Sequence, residues 1–359
     1  MKILTVIGAR PQFIKAAVVS RAFAEHRPDV REILVHTGQH YDANMSDVFF
    51  DELNIPRPDH NLGIGGGTHG QNTGRMIEKL EALMLAEKPD WVMVYGDTDS
   101  TLAGALAAAK LHIPVAHVEA GLRAFNRAMP EEINRVMTDH VANKLFVPTD
   151  TAVKNLAAEG ITGELVFNVG DVMYDAVLFY GDRAEQTSQI LHQLNLSSKG
   201  YVLATLHRQE NVDDRTRLAN ILQGFAASDI PIVMPLHPRT RRRLQEFGLS
   251  LPVSVKVIDP VGYLDMVKLE KHATLIATDS GGVQKEAYFH QVPCMTLRDE
   301  TEWVELVACG ANRLVGASVE AISNVILGNF IPFNGAVPYL YGFGNSGSLI
   351  VRNLSEDMS

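Results

Sequence analysis

The sequence is short of what ties a chain to a membrane, to nucleic acid or to a metal. Only two of its 359 residues are cysteine, Cys294 and Cys309. Their spacing matches no zinc-ligand pattern, and in a cytosolic setting a structural disulfide is not expected, so both read as small, half-buried hydrophobes. No apolar run reaches the ~18 residues of a membrane-spanning helix. The apolar start, Met1 to Gly8, runs into Arg10 without a small-residue cleavage site. It is expected to be a first strand rather than a signal peptide, and the chain to be cytoplasmic. Cationic excess is also missing, since 32 Lys and Arg stand against 42 Asp and Glu for a net charge of −10. A bulk-charge nucleic-acid binder is excluded on that ground. The glycine run at 63–67 has no following Lys-Ser/Thr pair, so it is a loop and not a Walker motif. What is left is ordinary: 46% hydrophobic, 21% charged and a mean hydropathy of zero. The length predicts two globular domains.

Short β-branched runs alternate with longer helical patterns, the pattern of a parallel sheet wrapped in helices. Strands are expected at 3–7, 32–36, 91–95, 115–118, 145–147 and 165–168, and again at 201–205, 232–234, 255–258, 275–278 and 295–297. Helices are expected at 13–25, 71–86, 101–110, 131–142 and 151–158, then at 216–226, 240–247, 264–271 and 283–289. The weakly patterned stretch 181–200 lies between the two blocks. This predicts two doubly wound α/β domains, 1–170 and 171–345, with the boundary near 170–181 or shortly after. Such folds bind ligands at the carboxyl ends of strands and between domains.

Four constellations sit at strand ends. Gly8-Ala9-Arg10-Pro11 opens a helix with Arg10 and Lys15 near its start. Cations there oppose the helix dipole but suit a bound anion. Asp279-Ser280-Gly281-Gly282 follows a strand, with Ser280 or Asp279 as a helix cap, glycines that let a phosphate approach, and Glu286 one turn on to accept two ribose hydroxyls. Three carboxylates, Asp97, Glu119 and Glu131, follow successive strands, and Glu131 and Arg135 at i and i+4 can hold each other. Converging carboxylates push their pKa values apart, as acid and base roles require. His207 ends the first strand of the second block and can meet a phosphate or move a proton. His237 repeats that placement more weakly, and the arginines at 239–243 form a solvated helix face.

Together and in this order, these motifs resemble the non-hydrolysing UDP-N-acetylglucosamine 2-epimerases. The likeness runs from Gly8-Ala9-Arg10-Pro11 through His117-Val118-Glu119-Ala120-Gly121-Leu122-Arg123 to Asp279-Ser280-Gly281-Gly282 and Arg298-Asp299. It implies two Rossmann-like domains in a GT-B arrangement with the active site in the interdomain cleft, and a C-terminal helix within 346–359 crossing back to the first domain. It also implies interconversion of UDP-GlcNAc and UDP-ManNAc without cofactor or metal, and a homodimer. UDP leaves across C1–C2 to give a 2-acetamidoglucal, then adds back. By resemblance Asp97, Glu119 and Glu131 are the acid/base carboxylates, with Arg135 and His207 beside the reacting centre. Arg10 and Lys15 contact the diphosphate and sugar, Ser280, Gly281 and Gly282 cradle the β-phosphate, and Glu286 clamps the ribose. Gln39 and His40 are similar to the family's regulatory sugar-nucleotide region.

The chain departs from the family pattern at Gln12, where Glu is usual, at Trp303, where many members have Arg, and at Val261-Gly262 and 41–44. These departures resemble a branch acting at C2 of UDP-2,3-diacetamido-2,3-dideoxyglucuronic acid in O-antigen synthesis. From another class, a GT-B glycosyltransferase shares the phosphate site and ribose carboxylate but needs no three carboxylates in its first domain.

Overall fold

A computed structural model of the chain describes residues 1–39, 50, 57–329 and 339–356, the side chains of Arg10 and Asn329 excepted. The chain forms two compact units, 1–178 with 339–359, and 179–338.

The first unit holds a seven-stranded parallel sheet: β1 (Lys2–Ile7), β2 (Arg31–His36), β3 (His60–Asn61), β4 (Trp91–Tyr95), β5 (Val115–Val118), β6 (Lys144–Val147) and β7 (Val166–Asn168). Their order is β3-β2-β1-β4-β5-β6-β7. Leu4 stands opposite Ile33 on one side and Val92 on the other. With Val6, Val35 and Val94 these residues are buried on both faces, as a central parallel sheet requires. Helices Arg10–His26, His69–Glu87, Asp99–Lys110, Pro130–Val141 and Asp150–Ala158 cross between strands. Thr68, Thr98 and Thr149 cap three of them by accepting a backbone N–H in the first turn.

The second unit repeats the plan with β8 (Val202–Thr205), β9 (Ile232–Pro235), β10 (Val255–Ile258), β11 (Leu275–Thr278), β12 (Cys294–Thr296) and β13 (Asn312–Leu314), ordered β10-β9-β8-β11-β12-β13. Val202, Ala204, Ile232, Ala277 and Met295 build its core with Leu218, Leu222 and Phe225 from helix Arg215–Phe225. In both sheets the order reverses beside the first strand, between β1 and β4 and between β8 and β11. Loops at such a switch point diverge and leave a crevice at the strand ends. The turns after β1, β4, β8 and β11 carry chemical motifs, and the turn after β5, beside β4, carries Glu119.

Strands β3 and β13 were not expected. They are two and three residues long and largely polar, too short to show periodicity. Helix Val172–Thr187 was not expected either. The division at 178/179 falls inside it and within the expected boundary region 170–181, later than the 170/171 division of the two blocks. The first turns of that helix are tied to the C-terminal segment of the first unit: Asp171 N–H donates to Tyr341 O (3.0 Å), and Gly347 N–H to Asp175 Oδ2 (2.9 Å). For the same reason residues 339–345, expected in the second domain, lie in the first unit, as does helix Ser346–Glu356, packed on Arg10–His26. Cys294 is buried on β12, which pushes its thiol up to about 12, and both cysteines are free.

Candidate active site

After β1 the chain turns at Gly8. A Cβ there would lie 2.2 Å from both Thr37 Oγ1 and Ser100 Oγ, so no larger residue fits. Ala9 offers no side-chain cap to helix Arg10–His26. Instead Gln12 Oε1 accepts from Gly8 N–H (2.8 Å) and Ala9 N–H (2.9 Å), while its Nε2 donates to Tyr95 O (2.8 Å). The same nitrogen lies 3.0 Å from the hydroxyls of Thr98 and Thr101. Gln12, noted in the sequence only as a departure, thus joins the turn after β1 to the turn after β4.

Lys15 reaches across that joint and donates to Glu119 Oε1 at 2.5 Å, with both side chains under 10% exposed. Gly96, at φ +63°, lets the pair close, since a Cβ on it would lie 3.3 Å from Lys15 Nζ. Glu119 is itself held at φ +70°. A non-glycine residue there costs of order 1–3 kcal/mol and persists only where its surroundings fix it. Here Phe146 O accepts from both Glu119 N–H (3.0 Å) and Ala120 N–H (3.1 Å).

The next residue after Gly96 is Asp97, whose carboxylate accepts from Arg135. Arg135 also donates to Glu132 Oε2 (2.6 Å), and Asn134 Nδ2 to Asp97 O (3.0 Å). The structure therefore brings Lys15, Asp97, Glu119 and Arg135 together, and corrects the expected Glu131–Arg135 pair. Both Glu131 and Glu132 share a face with Arg135, but Glu132 is drawn inward by two backbone donors, Ala124 N–H (2.9 Å) and Phe125 N–H (2.8 Å). Glu131 stays exposed in the first helical turn. Glu132→Gln accordingly lowers Tm by about 4–8 °C, at roughly 2 °C or more per kcal/mol, while Glu131→Gln stays within about 0.5 kcal/mol of wild type. Thermal melts of the two variants side by side check this, and equal shifts contradict it.

Beneath the two turns lies a charged network. His117, fully buried, sets Nε2 against Gly96 O (2.7 Å) and Nδ1 against Asp139 Oδ1 (2.7 Å). A carbonyl only accepts, so Nε2 carries a proton. Asp139 Oδ2 accepts from Gly121 N–H (3.1 Å) and from Arg123 (2.7 Å), which in turn grips Glu159 with two parallel bonds of 2.7 and 2.8 Å. Burial alone raises the Asp139 carboxyl. The hydrogen bond from His117 and the charges of His117 and Arg123 outweigh it and hold the group below its ordinary value.

In the second unit Asp279, completely buried, does not cap the following helix. It accepts from the backbone N–H groups of His207 (3.1 Å) and Arg208 (3.0 Å) and from Asn211 (3.2 Å), shaping the turn after β8. His207 projects from that turn with its side chain 43% exposed. Ser280 is the N-cap of helix Gly281–Phe289 but makes no side-chain cap bond, so the expected cap is absent. The Ser280 side chain therefore satisfies none of the first N–H groups of that helix. Glu286 is buried one turn in. Trp303 is also buried, with Lys285 Nζ 4.1 Å from its ring centroid. His237 lies beside His207 and falls below its ordinary pKa, through burial first and then the charges of His207 and Arg239.

Gln39 Oε1 accepts from Ser100 Oγ–H (2.6 Å) and N–H (3.1 Å). His40 and the Arg10 side chain lie outside the described residues. Among the described residues no cluster of His, Cys, Asp and Glu is built to hold a metal ion, and no helix is long and apolar enough to cross a membrane.

Comparison with known proteins decides the family. The family described as UDP-N-acetylglucosamine 2-epimerase matches residues 22–355. The chain belongs to that family. It is an isomerase acting on a UDP-sugar. The UDP-2,3-diacetamido-2,3-dideoxy-D-glucuronate 2-epimerase of Pseudomonas aeruginosa is 55% identical over 99% of this chain and 100% of its own. The crystal structure of the Methanocaldococcus jannaschii UDP-GlcNAc 2-epimerase, in complex with UDP-GlcNAc and UDP, is 47% identical with a TM-score of 0.90, covering 99% of this chain and 100% of that one. The Neisseria meningitidis enzyme bound to UDP-GlcNAc is 32% identical with a TM-score of 0.89, covering 99% and 100%. Glu132, Asp139 and Gln12, which organise this epimerase's first unit, were missed in the sequence. For Glu132 the i,i+3 spacing to Arg135 was the available signal.

Proposed function

We propose that this epimerase inverts C2 of UDP-2,3-diacetamido-2,3-dideoxyglucuronate. The reading rests on the 55% identity to the P. aeruginosa enzyme across both whole chains, and it agrees with Trp303 and Val261-Gly262. UDP-GlcNAc is the second reading, favoured by the 47% identical archaeal enzyme. A homodimeric cytoplasmic enzyme is part of either.

Both sugars pose one chemical problem. No carbonyl adjoins C2, so the proton there is not acidic. A base takes the C2 proton, the C–H electron pair becomes the C1=C2 bond, and the C1–O bond breaks as UDP leaves with its electrons. On return, a proton is added to the opposite face of C2 and the UDP oxygen bonds to C1. Inversion requires proton-handling groups on two faces. Asp97 and Glu119 are the assigned pair, each salt-bridged to a cation, Arg135 or Lys15. Glu131, exposed, is assigned as the third carboxylate. Arg10, Lys15, His207 and the N–H groups at Ser280, Gly281 and Gly282 are assigned to the diphosphate, where charge develops as UDP departs. Glu286 is assigned to the ribose.

Proton NMR in D₂O with each sugar nucleotide tests the reaction. Deuterium enters C2 only if that bond is broken and remade. Incorporation into the diacetamido uronate is expected to outpace that into UDP-GlcNAc. The reverse order moves the assignment to UDP-GlcNAc, and transfer to an acceptor without exchange rejects epimerisation. Glu286→Ala is expected to weaken UDP about tenfold, one lost charge-assisted hydrogen-bond pair, while kcat at saturation changes little. Calorimetric titration with UDP checks it.

A further inference from the structure

Two left-handed turns carry the assigned proton-handling groups, Gly96 before Asp97 and Glu119 itself. They follow neighbouring strands, β4 and β5, and one buried side chain, carried by β5 itself, meets the first of them. His117 is the third residue of β5, two before Glu119. Its Nε2 lies 2.7 Å from Gly96 O, across the sheet, and its Nδ1 is anchored by Asp139. Asp139 also holds Gly121 N–H, two residues beyond Glu119. The Gly96 carbonyl is the peptide oxygen immediately before Asp97. Gly96 N–H donates to Val118 O (2.9 Å), so His117 and Val118 together fix both polar groups of Gly96 to β5.

We propose that His117 is a positioning residue for the epimerisation, its Nε2 proton holding the Gly96 carbonyl and thereby the turn that aims Asp97. The physical demand is specific. A displacement of about 1 Å at a reacting group costs on the order of 10²-fold in rate, and glycine at φ +63° resists drift least of all residues. The buried ring supplies the stiffness that glycine lacks. It meets no substrate itself, being fully buried.

The two ring nitrogens can be separated by amides of different length. Asparagine places its NH₂ near the Nδ1 position and keeps the Asp139 contact but not the Gly96 one. Glutamine places its NH₂ near Nε2 and keeps Gly96 but not Asp139. His117→Asn is expected to lose on the order of 10²-fold in kcat for C2 exchange. His117→Gln is expected to recover most of that loss, although both variants melt earlier than wild type. UDP affinity should be unchanged in both, because the His117 ring bonds to Gly96 and Asp139 and to no residue assigned to the nucleotide. Equal kcat losses, or a greater loss for His117→Gln, overturn the proposal.

An independent measurement covers the case in which a variant does not fold. In ¹⁵N-histidine-labelled wild-type protein, the His117 ring should show an Nε2–H protected from solvent exchange; an unprotonated Nε2 overturns the proposal. The kinetic arm rests on the epimerase reading. If the wild type exchanges hydrons with neither sugar, that reading fails, and the Nε2–H resonance still decides the role of His117.

Discussion

Glu119→Gln slows C2 hydron exchange by about 10²–10⁴-fold, the usual range for removing a positioned acid or base. The amide keeps the fold because its oxygen can still accept from Lys15 Nζ, now 2.5 Å from Oε1. What it loses is the ability to take or give a proton. The left-handed backbone at residue 119 points to the same conclusion, since strain of this kind persists where it aims a side chain. Asp97→Asn should act in parallel: Arg135 keeps an oxygen to donate to, and the proposed proton carrier is gone. Affinity for UDP should stay within about threefold in both variants, less than 1 kcal/mol, because neither residue is assigned to the nucleotide. Exchange measured by NMR and UDP binding measured by calorimetry separate the two quantities. Glu119→Gln with wild-type exchange and weakened UDP binding would reverse the assignment.

The main architecture was legible because its signals are local. Alternating Val, Ile and Leu runs mark strands buried on both faces, and glycines at their carboxyl ends mark the turns where the sheet order reverses. Asp97, Glu119, His207 and Ser280 could therefore be placed at strand ends without a structure. Their partners could not. Asp139 lies 22 residues from His117 and 16 from Arg123, a separation that no periodicity reports. Glu131 and Glu132 are equally suited to face Arg135. The choice was made by the N–H groups of Ala124 and Phe125, which belong to a preceding loop. Ser280 has the right chemistry for a cap, yet its side chain makes no cap bond. Cap preference is an average over many helices and does not decide this one, whose start is proposed to meet the diphosphate. The exact position of the boundary within 170–181 was hidden for a related reason, because Asp171 and Asp175 are claimed by Tyr341 and Gly347 from the far end of the chain.

The buried network predicts the largest loss of stability. Asp139→Asn removes the one negative charge shared by His117 and Arg123 and turns an NH₂ toward the donors Gly121 N–H and Arg123. Breaking a buried pair from one side costs about 3–5 kcal/mol, because the counter-charge that Arg123 loses is not replaced by water. That is a large part of the ~5–15 kcal/mol that holds a typical domain. At a urea slope of about 2–3 kcal/mol per molar, the transition of the first unit should move down by about 1–2 M. The pH dependence follows from the direction of the shift. Asp139 is held below its ordinary 3.8 in the folded chain, so as the pH falls the unfolded chain takes up the proton first. The carboxylate's contribution is therefore complete above that value and drains away below it. Asparagine cannot titrate. The gap between wild type and Asp139→Asn should thus be widest near neutral pH and shrink as the pH drops below 4. Urea unfolding of both proteins at pH 7 and pH 3 measures it. A gap under 1 kcal/mol at pH 7, or one that is the same at both values, would mean that Asp139 does not anchor the buried network beneath the two turns.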